Sequence, residues 1–149
     1  MGFLAKGKMV ERAFTKVLSN HKLSTEKEDI TEHWDISTNI KFDVKGLKKT
    51  KRSDDEPNEN IHWLEIKNVN GDLGWVYGEA DYFVFETIDY WIIVDKCDLQ
   101  KFIKDRVEKD WVHKAILYKL YRRKDREDVI TLVKTIDLMY LSSSIITKV

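Results

Sequence analysis

The chain has 149 residues, of which 42% are hydrophobic and 35% charged; this length suits one domain, residues 1–149, and lets folding bury roughly 68–70% of the unfolded surface. Its 26 basic and 26 acidic residues give a formal net charge of zero, which excludes a protein that coats nucleic acid by bulk charge, so any contact with DNA must run through local basic patches. The one cysteine, Cys97, excludes an intramolecular disulfide and a cysteine-built zinc site, and no apolar run approaches the about 20 residues that span a bilayer, so a soluble intracellular protein without a membrane partner is expected, cytoplasmic or otherwise.

Residues 5 to 20 carry the spacing of an amphipathic helix. Val10, Ala13, Phe14, Val17 and Leu18 recur at helical period, and Glu11 falls at the border of that stripe. Residues 33 to 46 predict a β-hairpin in which Ile40, Phe42 and Val44 alternate with Lys41, Asp43 and Lys45. A three-residue loop of Ser37, Thr38 and Asn39 pairs Ile36 with Ile40 and Trp34 with Phe42. It puts Asp35, Lys41 and Asp43 on the other face; a two-residue turn would separate the acids. Residues 47 to 60, rich in charge and holding the only proline, predict a mobile loop.

A strand is expected at 61–69, a turn at Asn70-Gly71-Asp72, and further strands near 74–78, 81–87 and 90–95. A helix begins near Asp98 as N-cap. Residues 111 to 122 fit helix or strand, with Trp111, Ala115 and Tyr118 suiting the helix. A turn at residues 124–128 leads to a strand at 129–134, and the tail from 138 onward ends in a strand or stays irregular. No repeat and no low-complexity segment appears.

Asp43-Val44-Lys45 is the feature with the most chemical content. On a strand it places a carboxylate and an ammonium on one face. Asp35 on the neighbouring strand and Glu11 from the helix supply further carboxylates. Two carboxylates with a backbone carbonyl and waters make an all-oxygen site for Mg²⁺ or Mn²⁺. Such an ion neutralises phosphate charge and acidifies bound water, while Lys45 orients the attacking water and balances developing charge.

These residues carry a family resemblance. Lys6-Gly7-Lys8-Met9-Val10-Glu11-Arg12-Ala13-Phe14, Trp34-Asp35-Ile36 and Lys41-Phe42-Asp43-Val44-Lys45-Gly46 together resemble the PD-(D/E)XK nuclease superfamily, and the N-terminal stretch is most similar to archaeal Holliday-junction resolvases. The resemblance implies an α/β fold with a restriction-endonuclease-like core, a central mixed β-sheet flanked by helices. It also implies Mg²⁺-dependent hydrolysis of DNA phosphodiesters, in which Glu11, Asp35 and Asp43 are metal-binding acids and Lys45 is the catalytic lysine. It covers residues 5 to 46. Trp34 stands where the family commonly has proline, Asp43 stands where Glu is commoner, and residues 61 to 103 do not share the likeness.

A rival placement uses Glu65-Ile66-Lys67, also an acid-x-lysine on a strand, with Asp43 as the first acid; Glu65 could instead join the Asp35 site. Glu79 and Asp81 are weaker acid candidates. Lys41, Lys45, Lys48, Lys49, Lys51 and Arg52 form one basic cluster, and Lys119, Arg122, Arg123, Lys124 and Arg126 a second. Phosphate contacts there would give salt-dependent DNA binding without sequence choice, although a charge run is more often just a solvated face. His21, His33, His62 and His113 show no zinc-protease spacing. The family likeness and the surplus of aromatic residues after Trp63 add the expectation of a homodimer.

Overall fold

The computed structural model describes residues 3–18, 22–37, 39–51 and 53–149, with side chains from residue 5 onward. His21, Thr38 and Arg52 lie outside the described residues. The expected α/β class holds, but the strands form two mixed sheets rather than one central sheet, with helices flanking them.

The chain opens with α1 (Phe3–Thr15), which starts earlier and stops sooner than its apolar spacing predicts. Thr15 ends it by donating its hydroxyl back to the Arg12 carbonyl at 2.6 Å. Phe14 is fully buried and meets Phe42 and Trp91 edge-on, at 5.6 and 5.3 Å between ring centroids. Burying such a side chain contributes about 2–3 kcal/mol, so Phe14 fixes the roll of the helix. That roll also turns Glu11, one turn earlier on the same side, away from water.

Next come β1 (Lys22–Leu23) and α2 (Glu26–Glu32), neither of which was expected. A capping box starts α2: the Glu28 N–H donates to the Thr25 hydroxyl while the Glu28 carboxylate accepts from the Thr25 N–H. His33 closes the helix in a left-handed conformation.

The hairpin forms from β2 (Ile36–Ser37) and β3 (Lys41–Lys45). Its register differs from expectation by two residues: Ile36 pairs with Phe42 and Ser37 with Lys41. Ile40 therefore sits in the loop, exposed. A slip of two preserves which face each strand residue occupies, so Ile36, Phe42 and Val44 still pack together against α1. Trp34 leaves that group and packs in the larger core on the other side. On its other edge β3 is tied to the approach to β5, because Asp81 accepts from the Lys41 N–H and donates its own N–H to the Lys41 carbonyl, both at 2.8 Å.

After an irregular segment comes β4 (Ile61–Lys67), followed by a turn in which Gly71 takes φ +82°. The expected strand at 74–78 is instead a 3-10 turn over Trp75–Tyr77. Then follow β5 (Tyr82–Glu86), β6 (Tyr90–Asp95) and α3 (Lys96–Arg106). The N-cap of α3 is Asp95, three residues before the expected Asp98; its carboxylate accepts from the Cys97 and Asp98 N–H groups.

Residues 111 to 122 resolve as strands rather than helix. They contribute to β7 (Glu108–Val112) and β8 (Lys119–Arg122), with Tyr118 at φ +61° between them. β9 (Val129–Lys134) matches expectation, and the tail forms α4 (Thr135–Leu141) and β10 (Ser144–Thr147).

The first sheet runs β1-β2-β3-β5-β6-β10 and the second β4-β9-β8-β7. β3 and β5 pair in parallel, with Asp43 beside Phe83 and Lys45 beside Phe85. Between the sheets lies the larger core: Phe83, Phe85, Ile92 and Val94 from the first sheet, Leu64 and Val133 from the second, closed by α3 and α4. His62 of β4 joins the two layers, its ring nitrogens meeting the Thr135 hydroxyl and the Glu86 carbonyl, each at 2.9 Å. Among the described residues no helix is long and apolar enough to cross a membrane.

Candidate functional site

Alternation along β3 sends Phe42 and Val44 towards α1 and sends Asp43 and Lys45 the other way, to the face that carries Phe83 and Phe85. Asp43 is 3% exposed. One of its oxygens, Oδ1, lies 2.7 Å from the Lys45 ammonium. The other, Oδ2, is buried with no hydrogen-bond partner among the described residues.

Asp35 enters from the preceding strand arm and is 4% exposed. Its N–H donates to the Phe42 carbonyl and its Oδ2 accepts from the Val44 N–H, both at 2.6 Å. The carboxylate thus replaces a rung of the ladder and is locked beside β3. Glu11 arrives from α1 and is 7% exposed; Lys8, one turn earlier, approaches it at 3.2 Å. Asp29 from α2 completes the group. Glu11, Asp29 and Asp35 each offer an oxygen, and these atoms all lie within 4.8 Å of one another. The structure thus groups Glu11, Asp29 and Asp35, and Asp43 with Lys45 adjoins that group through Asp35, whose carboxylate feels both of their charges.

The electrostatics of this cluster are uncomfortable. Burial and then the neighbouring Asp35 raise the Glu11 carboxyl to about 7. Burial and then Asp43 raise Asp35 to about 8. Asp43 is raised chiefly by burial, against the pull of Lys45. For Lys45, burial works to lower the pKa, but Asp43 and Asp35 outweigh it and the net shift is upward. The ammonium stays charged at neutral pH, and the three carboxyls each release their protons less readily than free ones, chiefly because their anions are poorly solvated.

The rival acid-x-lysine pair divides. Glu65 acts on the Lys45 charge and its Oε1 accepts from the backbone N–H of Trp75 at 3.2 Å. Lys67 lies past a bulge in β4, exposed, and makes no ion pair among the described residues. Glu79 is exposed and pairs with Lys41 at 3.6 Å, and Asp81 pins β3 as described.

Among the basic residues, Lys41 also reaches Glu32 at 3.6 Å. Lys49 and Lys51 are exposed. Lys48 titrates below the ordinary lysine value through partial desolvation and then the nearby Lys45 and Lys6 ammonium groups, so positive charge gathers on that flank of the acids. In the second cluster, Arg122 lies 3.4 Å from Glu127 and stacks over Trp111, and Arg123 holds the buried Asp128 at 2.6 Å. Local acids therefore offset much of that charge.

Sequence reasoning missed two members of this neighbourhood. Asp29 sits on an unforeseen helix, whose capping box at Thr25 and Glu28 was the available signal. Trp75 places its ring 4.3 Å beneath the Lys45 ammonium, and nothing local in the sequence announces that approach. Compared with protein-family models, with curated proteins and with solved structures, the chain gives no match.

Proposed function

We propose that the protein is a metal-dependent nuclease that hydrolyses DNA phosphodiesters at the Glu11, Asp29, Asp35, Asp43 and Lys45 cluster. One observation carries this reading: oxygens of Glu11, Asp29 and Asp35 lie within 4.8 Å of one another, and beside Asp35 the buried Asp43 Oδ2 lacks a partner among the described residues. A buried acid group of this kind destabilises itself unless a cation or protons neutralise it. The donor set is all oxygen, which is what Mg²⁺ and Mn²⁺ select. Asp35 and Asp43 would hold the ion, with Glu11 and Asp29 beside them. When bound, such an ion offsets phosphate charge and favours ionisation of water.

The chain's own groups do the rest. Glu11 accepts a hydrogen bond from the attacking water and orients it. Lys45, charged and facing the same cluster, stabilises negative charge that builds on the phosphoryl oxygens. The water oxygen bonds to phosphorus, one P–O ester bond breaks, and the water's proton is passed on towards the leaving alkoxide. Lys48, Lys49 and Lys51, on the loop that follows β3, would steer the DNA backbone to the site. A restriction-endonuclease-like core and a preference for branched DNA both belong to this proposal, as does a homodimer, for which a monomer in light scattering at micromolar concentration is the contrary result.

The test is a panel of supercoiled, linear, branched and single-stranded DNA with Mg²⁺, Mn²⁺ or chelator. Cutting that needs the metal and is lost in Asp43→Asn and Lys45→Met supports the assignment. Intact DNA throughout, with salt-dependent binding retained, would leave a nuclease-like binding module instead.

A further inference from the structure

Trp75 has no part in the reading above, yet it is the second group that fixes the Lys45 ammonium. A lysine side chain has four rotatable bonds, and the Lys45 side chain keeps 24% exposure, so one ion pair to Asp43 would let it swing to solvent. The indole stops that swing, because the ammonium nitrogen lies 4.3 Å from the ring centroid. A cation over an aromatic face is held by the ring quadrupole, most strongly when partly desolvated.

The tryptophan is itself held from three sides. Its backbone N–H donates to Glu65 Oε1 at 3.2 Å. Its ring leans on Phe83 and Phe85, at 5.2 and 6.3 Å between centroids, and those two residues are the register partners of Asp43 and Lys45. The preceding residue must be glycine: a Cβ on Gly74 would fall 2.3 Å from the Glu65 carbonyl oxygen. The 3-10 turn at Trp75–Tyr77 is thereby pressed onto β4, with the indole under β3.

We propose that Trp75 is a positioning residue, its indole face seating the Lys45 ammonium beside Asp43 so that Lys45 presents a fixed N–H to an anionic phosphoryl oxygen; this rests on the nuclease reading above. The ammonium has three N–H directions. Asp43 takes one and the ring face takes another, which leaves the third for the substrate. Simple filling of space by the indole would not require the nitrogen itself to lie over the ring.

Two measurements on Trp75→Leu and Trp75→Phe, with folding checked by thermal melts, test the seat. In proton–carbon NMR of the wild-type protein, the Lys45 ε-methylene signal, identified by its disappearance in Lys45→Met, is expected to move upfield through the indole ring current. The shift should vanish in Trp75→Leu and persist in part in Trp75→Phe. In metal-dependent DNA cutting, Trp75→Leu should lower kcat about tenfold with KM little changed, and Trp75→Phe should recover most of it. An unshifted Lys45 signal in the wild-type protein overturns the seat whatever the cutting shows. A vanished shift with wild-type kcat overturns the positioning role. A shifted signal in a protein that cuts no DNA supports the seat and overturns the nuclease reading.

Discussion

Glu11→Gln isolates the charge conflict at the site. The Glu11 carboxyl rises from 4.5 to about 7 on folding, through burial and then Asp35. Between those values the folded chain keeps a proton that the unfolded chain has released. The native state is therefore favoured below pH 4.5, and that advantage is lost as pH rises through 7. At 1.36 kcal/mol per unit the rise corresponds to about 3 kcal/mol. The opposing pull of Lys8, 3.2 Å away, is already contained in it. Glutamine keeps the shape and removes the ionisation. Without metal, Glu11→Gln should match wild type near pH 4.5 and exceed it by about 3 kcal/mol at pH 8, or roughly 6–12 °C in Tm for a chain of this size. Thermal melts by circular dichroism across that range read the difference directly. Adding Mg²⁺ at pH 8 should stabilise wild type more than the variant, since binding to the native state alone raises Tm. A Glu11→Gln curve that runs parallel to wild type at every pH, or below it at pH 8, would refute the reasoning.

Three further outcomes are expected. Lys45→Met should abolish metal-dependent cutting and cost about 3 kcal/mol at pH 8 in urea unfolding, with a smaller loss at pH 5, because protonated acids no longer need the ammonium. Gly74→Ala should cost about 1–3 kcal/mol in the same assay and slow cutting, since its new methyl meets the Glu65 backbone rather than a flexible side chain. Replacing Lys49 and Lys51 together by alanine should weaken DNA binding uniformly across sequences and flatten its salt dependence, by about 0.9 in log–log slope for each phosphate no longer neutralised; an unchanged slope would place the DNA path elsewhere.

The acids were legible in the sequence because alternation along a strand survives an error of two residues. Asp43 and Lys45 share a face in any register, and Ile36 stays with Phe42 and Val44. The register itself was not legible. Ile40 looks like a core residue, and nothing local tells that Ile36 pairs with Phe42 and leaves Ile40 in the loop. Helix α2 could have been read from Thr25 and Glu28, since a capping box is a purely local device. Trp75 could not, because three residues of 3-10 turn leave no period to detect and their conformation comes from packing on Glu65. The division into two sheets was also hidden. β4 alternates as any strand does, and nothing in it tells that its partner is β9 rather than β3.

The parallel join between β3 and β5 has a consequence for assembly. Every acid proposed to hold metal, and the lysine with them, occurs before residue 47, yet the walls that press them together come from Trp75, Phe83 and Phe85. Between these two stretches the chain crosses to the other layer and back, so the pairing closes a long loop and is slow to find. A nascent chain ending at Gly46 would hold all the reactive groups as ordinary, well-hydrated side chains. Their altered acidity is the property of a neighbourhood completed late, and on the nuclease reading no cutting precedes the folding of the second half against the first.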